Sequence, residues 1–346
     1  MKFDFAIGNP PYQEEATGAK LSDETVYHHF LDGAYEIADK VEMIHPARFL
    51  FNRGKTPKEW NDKILNDIHF KVLEYEQDCK KVFWNTDING GIAITYYDKD
   101  KSYDAVEVFS PYDELRSAKD KVRGSDDFVP ITEIVFIQNC FDLEILYKDY
   151  PELRSVVGSD GREKRLISSI FKLKDLFLEK RRFADDVEIF GVVNGNRRTS
   201  RFVRRKYLQE RKDLDCWKVV VPRSNGSGAI GEVSSTPLIG TPFVGAPLVG
   251  YTQSFMAFGA FGGKEEAEAC LKYIKTKFAR VMLGILKITP NNPPETWKYV
   301  PLQDFTSASD IDWSESVHKI DLQLYRKYGL DEKEIAFIEE KVKAME

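Results

Sequence analysis

The chain has 346 residues, of which 42% are hydrophobic and 31% charged, a composition typical of a folded protein with two or three domains. No run approaches the roughly 18 consecutive apolar residues of a membrane-spanning helix, and the N-terminus lacks the apolar stretch of a signal peptide. Four widely spaced cysteines without a C-x-x-C pair, and only five histidines, argue against a metal site. We therefore expect a cytoplasmic protein with reduced thiols and no membrane contact.

The net charge of −6 is unevenly distributed along the chain. Residues 160–223 carry 18 basic and 10 acidic residues, so this segment is positive while the remainder is strongly acidic. A basic segment on an acidic protein indicates an anionic polymer as partner.

The first 105 residues alternate strand-like and helix-like segments, the pattern of an α/β domain. The strand-like segments bury short apolar runs, and the helix-like segments repeat apolar residues every three to four positions. Strands are predicted at 3–8 (buried), 41–45, 71–76 and 92–97, and helices at 26–38 and 57–68.

The rest of the chain divides by composition into two further regions. Residues 106–185 are mostly helix-like and predict a helical connector. Within residues 186–346, the glycine-rich segment 224–263 predicts turns with short strands and the chain then returns to helix, which predicts a mixed α+β domain. Single helices are predicted at 265–282 and 331–345.

The most specific motif is Asn9-Pro10-Pro11-Tyr12, which directly follows the first apolar strand. Ligands of open α/β sheets bind at the carboxyl ends of the strands, so this position favours a functional loop. The alternative is a plain strand-to-helix turn that the two prolines break.

The motif suits methylation of an exocyclic amine, a poor nucleophile because its lone pair is conjugated with the base ring. The Asn9 side-chain carbonyl and the Pro10 backbone carbonyl can accept both N–H groups and favour a tetrahedral nitrogen. Proline fixes φ and therefore holds its carbonyl at a set angle. Tyr12 can stack on a base that is extruded from the duplex.

These residues resemble the catalytic half of amino-methyltransferases from bacterial restriction-modification systems of the fused restriction-methylation type. FDFAIGNPPY resembles their catalytic loop, and VFWNTDINGGIAITYYDK is similar to their segment with the second aromatic wall of the base pocket. Phe83 matches that aromatic residue, with Trp84 as the reserve candidate. Later segments are loosely similar to the C-terminal target-recognition domains of the same enzymes, among them WKVV, YIKTKF, VPLQDF and LYRKYGL.

The resemblance implies part of a Rossmann-like methyltransferase sheet (residues 1–105), a helical connector (106–185) and a DNA target-recognition domain (186–346). It also implies S-adenosylmethionine as cofactor and, because Asn rather than Ser stands at position 9, adenine N6 as the methylated atom. A cytosine C5 mechanism through a thiolate is disfavoured since the chain has no Pro-Cys pair.

One departure from the family concerns the cofactor. Its main binding loop lies upstream of the catalytic motif in these enzymes, and here that motif begins at residue 9. The glycine-containing segments 241–245 and 258–263 are the only candidates for a permuted loop, and neither shows the full nucleoside-binding pattern. We expect an upstream cofactor-binding or nuclease domain, with Asn9, Tyr27 and Phe30 still touching the cofactor, and an open sheet edge that pairs with a second copy or a missing domain.

A basic stripe follows Asn194-Gly195-Asn196 and predicts contact with DNA phosphates. As a helix it would carry charge on too many faces for an ordinary amphipathic surface. A solvated charge run is the alternative. Its members are Arg197, Arg198, Arg201, Arg204, Arg205, Lys206, Arg211 and Lys212, and Arg223, Ser224 and Asn225 are candidates for base contacts.

The sequence therefore predicts a site-specific, base-flipping adenine-N6 DNA methyltransferase of a restriction-modification system. The alternative from a different class is a non-catalytic DNA-binding specificity module without its own cofactor site. A third hypothesis is methylation of another amine or amide, such as an RNA adenine or a protein glutamine, which the long basic and glycine-rich C-terminal half disfavours. A second string, Asn292-Pro293-Pro294, lacks a preceding apolar strand and is predicted to be a loop.

Overall fold

The computed structural model describes residues 2–14, 24–51, 55–85, 88, 90–103, 105–157, 164–195, 197–225, 229–231, 233–287 and 289–345. The chain forms two compact units, Met1–Pro111 and Tyr112–Glu346. Both mix helices with sheets, so the predicted α/β class is confirmed at this level.

The N-terminal unit is built on one four-stranded sheet with the order β1-β4-β6-β5. Strands β1 and β4 are parallel, and β6 is antiparallel to both of its neighbours. Its elements are β1 (Phe3–Gly8), β2 (Gln13–Glu14), β3 (Glu24–Thr25), α1 (Tyr27–Ile37), β4 (Ala38–Pro46), α2 (Lys58–Leu65), β5 (Phe70–Glu76) and β6 (Ile92–Asp98).

Helices α1 and α2 cover one face of this sheet. Leu31 of α1 and Ile64 of α2 share a buried core with Phe70 and Ala93 from the strands. The two helices are also joined directly, because the Trp60 indole donates to the Asp32 carboxylate at 3.1 Å. The helical period of the apolar residues thus places both helices against the sheet.

The opposite face of β1 is exposed, which corrects the prediction that this strand is buried. Phe3, Phe5 and Ile7 alternate along it and are 47%, 57% and 77% exposed. In the described part of the chain, β1 pairs only with β4 and is an edge strand of the sheet. An apolar run shows that a strand can be buried, but its neighbours decide whether it is.

The C-terminal unit contains two larger sheets and six helices among its described residues. Its elements are α3 (Asp113–Arg123), β7 (Val135–Phe136), α4 (Leu143–Asp149), β8 (Asp186–Val193), β9 (Arg197–Arg204), β10 (Trp217–Pro222), β11 (Phe243–Gly245), β12 (Val249–Tyr251), β13 (Phe255–Phe261), α5 (Lys264–Lys275), α6 (Lys277–Gly284), α7 (Val317–Lys327) and α8 (Glu332–Lys341).

The two sheets share a core in this unit. One sheet has the antiparallel order β11-β10-β13-β7, and the other has the order β12-β8-β9. Val220 and Phe255 from the first sheet pack with Tyr251 and Phe190 from the second. Helix α5 lies against β10 and β13 and contacts α6 and α7.

Residues 106–185 do not form a separate connector. Phe141, Leu146 and Phe177 from this segment lie in one buried core with Val187 and Ile189 of β8. Most of the predicted connector is therefore part of the C-terminal unit. Helical periodicity is local and does not reveal which partner a segment packs against.

The helix predicted at 265–282 is two helices that meet at Thr276. The Thr276 hydroxyl accepts from the Ala279 N–H at 3.1 Å and donates to the Tyr273 carbonyl at 2.6 Å, so it caps α6 where α5 ends. None of the helices in the described ranges is long and apolar enough to cross a membrane.

Candidate functional site

Three strand ends of the N-terminal unit meet at one edge of its sheet. Since β4 and β5 are both antiparallel to β6, they run in the same direction as each other and as β1. The residues after Gly8, Pro46 and Glu76 therefore leave the sheet at the same edge. Strands β1 and β5 are three intervals apart, or about 14 Å at the usual strand spacing.

The Asn9–Tyr12 loop leaves this edge directly after β1. Asn9 and Pro11 are exposed, Pro10 is buried and Tyr12 is half-buried. The Tyr12 carbonyl accepts from the Val26 N–H at 3.2 Å, and β2 pairs with β3 just beyond the loop. The loop is thus tied at both ends while its asparagine faces solvent.

The Tyr12 hydroxyl lies beside the Asn9 side chain and has no hydrogen-bond partner of good geometry in the described part of the chain. Burial raises the pKa of this phenol, and the Asn9 side chain partly opposes that effect. The ring is therefore neutral at physiological pH and suited to stacking.

His45 fixes the end of β4 beside this loop. It is fully buried, its Nε2 lies 2.8 Å from the Thr95 hydroxyl of β6, and Tyr27 stacks on its ring at 5.3 Å. Burial lowers the pKa of the imidazole to about 4. Ala47, the first residue after β4, donates its N–H to the Gly91 carbonyl at 3.0 Å and so joins β4 to the start of β6.

Phe83 and Trp84 follow β5 and therefore belong to the same edge. The Phe83 N–H donates to the Cys79 carbonyl at 2.8 Å, an i to i+4 bond that continues the short 3-10 helix Cys79–Lys81. Phe83 is half-buried, and Trp84 is 84% exposed. Both predicted stacking residues are accessible beyond a strand end that is parallel to β1.

The three residues predicted to touch the cofactor differ in their accessibility. Asn9 is exposed and Phe30 is 50% exposed, but Tyr27 is only 2% exposed and lies in the core between His45 and Phe49. The Tyr27 side chain offers no surface to a cofactor in this arrangement. Asn9 and Phe30 alone are too few to enclose a nucleoside.

The two glycine-containing segments lie in the antiparallel sheet of the C-terminal unit. Gly262 and Gly263 join β13 to α5, which is a strand-turn-helix, but α5 is followed by α6 and not by a strand. Segment 241–245 leads into β11. Neither segment matches the predicted pattern of a nucleoside-binding loop. The described residues therefore fit only part of an S-adenosylmethionine site.

The basic stripe begins as a β-hairpin and not as a helix. Strands β8 and β9 pair in continuous register from Asp186↔Arg204 to Val193↔Arg197. Three residues, 194–196, join the strands, and Asn194 and Gly195 have φ of 50° and 84°, the left-handed conformation that Asn and Gly adopt most readily. The Asn-Gly pair is the sequence signal that could have predicted this hairpin, while Asn196 lies outside the described residues.

Five of the eight stripe residues are already paired with carboxylates of the same unit. Among the described residues, Arg197, Arg198 and Lys212 have no such ion pair. The paired residues are Arg201 with Glu179, Arg204 with Asp186, Arg205 with Glu210 and Asp215, Lys206 with Asp149, and Arg211 with Asp213.

The structure also brings Arg198 close to the predicted base-contact segment. The Arg198 guanidinium lies 5.8 Å from the centre of the Phe255 ring and donates through Nη1 to the Thr241 carbonyl at 3.1 Å. Phe255 pairs with Pro222 at the end of β10, and Arg223 is the next residue. The hairpin end and residues 223–225 therefore share one end of the C-terminal sheets.

The second Asn-Pro-Pro string serves the fold. Asn292 is fully buried, and its backbone N–H donates to the Arg223 carbonyl at 2.9 Å. Its side-chain amide, oriented to satisfy its neighbours, donates to the same carbonyl and to that of Pro222. The described residues contain no cluster of three His, Cys, Asp or Glu able to hold a metal ion.

Residues 1–83 match the family model described as Eco57I restriction-modification methylase. The predicted resemblance to restriction-modification adenine methylases is confirmed for this segment. The chain is 31% identical over 99 residues to an uncharacterized adenine-specific methylase of Mycoplasma pneumoniae, an alignment that covers 27% of this chain and 22% of that protein. The chain thus spans about a fifth of that relative's length.

The chain also aligns with a solved structure, the type IIG restriction endonuclease BpuSI, at 11% sequence identity and a TM-score of 0.37. The alignment covers 92% of this chain and 48% of the BpuSI chain.

Proposed function

We propose that this chain carries the target-amine and DNA-recognition residues of a DNA methyltransferase of a restriction-modification system. The observation that carries the proposal is the Asn9–Tyr12 loop. It lies at the sheet edge where β1, β4 and β5 all end, within the segment that matches the methylase family. In this proposal, the enzyme transfers a methyl group from S-adenosylmethionine to adenine N6 in duplex DNA.

Asn9 and Pro10 hold and orient the amine. The exposed Asn9 side-chain carbonyl accepts one N–H of the adenine amino group, and the Pro10 carbonyl accepts the other. These acceptors favour a nitrogen whose lone pair points out of the ring plane and is available for attack. S-adenosylmethionine, when bound, supplies the electrophilic methyl group.

Tyr12 and Phe83 stack on the two faces of the extruded base. Both rings lie beyond parallel strand ends, at one edge of the sheet, and Trp84 is an accessible neighbour. Two aromatic walls compensate for the stacking that the base loses when it leaves the duplex. Tyr12 suits this role because its phenol is neutral and places no charge beside the base.

The adenine specificity is supported by the asparagine at position 9 and by the adenine-specific relative from Mycoplasma pneumoniae. The proposal covers the activity of the whole protein and its partner, duplex DNA. It also includes an upstream cofactor-binding or nuclease domain and a cytoplasmic location. A non-catalytic specificity module remains the competing proposal, supported by the partial cofactor site described above.

Identification of the methylated product tests this function. The purified protein, alone and together with any polypeptide encoded upstream, is incubated with labelled S-adenosylmethionine and unmethylated genomic DNA, RNA or protein. The DNA is then digested to nucleosides. We expect label in N6-methyladenine of duplex DNA. Label in cytosine, RNA or protein would contradict the proposed substrate and identify a different one. Salt-dependent DNA binding without cofactor binding would favour the specificity module.

A further inference from the structure

The eight stripe residues differ in how much charge they offer to a partner. An arginine that is paired with a carboxylate must break that pair before it can bind a phosphate, so its net electrostatic gain is small. This applies to Arg205, which Glu210 and Asp215 hold from two sides. It also applies to Arg211, which binds the fully buried Asp213.

The unpaired charges lie at the turn end of the β8–β9 hairpin. Arg197 and Arg198 are the first two residues of β9 and are both exposed. The other end of the hairpin is fixed, because β12 pairs with β8 at Glu188–Phe190 and Val203 lies in the core beneath. Lys212 lies beyond that fixed end of β9 and is not part of the turn end.

Arg198 is held in position before any partner binds. Its guanidinium rests over the Phe255 ring, and one nitrogen donates to the Thr241 carbonyl. The planar group has five N–H donors, and within the described residues no other hydrogen bond engages Nη2 or Nε. Little side-chain entropy is therefore lost when these donors bind an oxygen pair.

Arg223 extends the same surface from β10. Its backbone N–H donates to the Ser254 carbonyl at 2.9 Å, one residue before Phe255, and its side chain has no carboxylate partner among the described residues. Ser224 follows it and is exposed. Arg197, Arg198, Arg223 and Ser224 are named here the hairpin-end surface.

We propose that duplex DNA contacts this chain through the hairpin-end surface, and that Arg205, Lys206 and Arg211 stabilise the fold instead. The inference rests on the proposed function, because that function makes duplex DNA the partner. Two exposed guanidinium groups at the end of a two-stranded ribbon match a phosphate backbone in charge, and such a ribbon fits the major groove in width. The nearby Ser224 hydroxyl adds a neutral hydrogen bond.

Two matched double variants test this assignment. Arg197→Ala/Arg198→Ala and Arg205→Ala/Lys206→Ala each remove two positive charges from the same segment, so the net charge changes equally. Binding of the full chain to a labelled mixed-sequence duplex is measured by fluorescence anisotropy over a series of salt concentrations. Circular dichroism and thermal unfolding establish that each variant is folded.

We expect Arg197→Ala/Arg198→Ala to weaken binding about 10- to 100-fold at low salt and to reduce the slope of log affinity against log salt by about 2. Arg205→Ala/Lys206→Ala keeps the slope of the unmodified protein. Arg223→Ala, a separate single variant on β10, is expected to reduce the slope by about 1.

The outcomes separate this inference from the proposed function. If the unmodified protein shows no salt-dependent binding to duplex DNA, the proposed function fails and the inference fails with it. If the unmodified protein binds but both double variants lose affinity equally, or Arg205→Ala/Lys206→Ala loses more, only the hairpin-end assignment is overturned.

Discussion

Asn9 and Pro10 present two carbonyl oxygens that differ in their freedom. The Pro10 carbonyl is set by a ring with fixed φ and a buried side chain, whereas the exposed Asn9 amide can rotate. One fixed acceptor and one adjustable acceptor can follow an amine as it changes from planar to tetrahedral. The tie from Val26 to the Tyr12 carbonyl keeps the loop closed beside α1.

Substitution of Tyr12 separates the ring from its hydroxyl. We expect Tyr12→Ala to lower kcat/KM for DNA methylation about 10- to 100-fold, because stacking on a base contributes about 1–3 kcal/mol. Tyr12→Phe should stay close to the unmodified enzyme, since the hydroxyl lacks a hydrogen-bond partner of good geometry among the described residues. Steady-state kinetics of methylation of unmethylated DNA give kcat/KM for both variants. An equal loss in Tyr12→Phe would show that the hydroxyl, and not the ring, matters.

His45 predicts a pH dependence for the N-terminal unit. Its folded-state pKa of about 4 lies below the ordinary value of 6.5, so the folded state binds this proton less readily than the unfolded chain. The neutral form of His45 therefore stabilises the folded unit fully above pH 6.5. This stabilisation is lost as the pH falls towards 4, which lowers the free energy of unfolding by up to about 3 kcal/mol.

His45→Gln removes the titrating group and provides the comparison. Hydrogen exchange of the β4 and β6 amides, corrected for intrinsic exchange rates, reports the stability of this unit at pH 7 and pH 5. We expect the unmodified protein to lose about 2 kcal/mol more than His45→Gln over this interval. Asp321, whose pKa burial raises to about 6, lies in the other unit and is present in both proteins. Identical losses would contradict the assignment to His45.

At the scale of elements, Gly91 connects the site edge to β6. Its φ is +78°, and a Cβ there would lie 2.5 Å from the Glu76 carbonyl oxygen. We expect Gly91→Ala to lower the free energy of unfolding by about 1–3 kcal/mol. Gly33→Ala is the control, because Gly33 lies in α1 with open space around its Cβ position and should gain up to about 1 kcal/mol. Chemical denaturation compares the two, and equal stability would contradict the steric account.

The elements also show which features the sequence could predict. Strand β1 has the predicted bounds, and β4, β5 and β6 lie within a few residues of theirs, because a local apolar pattern defines each of them. The stripe was harder to predict, since its charges mask the alternation of β9 and only Asn194-Gly195 indicated a turn. Thr276 shows the same limit, because one capping side chain divides a continuous amphipathic pattern into two helices.

At the scale of the whole molecule, the features that sequence analysis missed depend on residues far apart in the chain. Lys206 pairs with Asp149, and Arg198 rests on Phe255, each more than fifty residues away. Such contacts decide which cations remain available, and no local pattern contains them. The motif indicated the Asn9–Tyr12 loop as the candidate site without this information, because all four residues are adjacent in sequence.

Transfer of labelled methyl from S-adenosylmethionine to unmethylated duplex DNA measures the proposed methyltransferase activity directly. It compares the purified protein with its Asn9→Ala variant, each alone and with any polypeptide encoded upstream, and uses Asn66→Ala as a control at an exposed asparagine that follows α2. We predict transfer to adenine that Asn9→Ala reduces at least about 100-fold and Asn66→Ala leaves unchanged. Equal transfer by Asn9→Ala, or no transfer by any form that still binds DNA, would contradict the account.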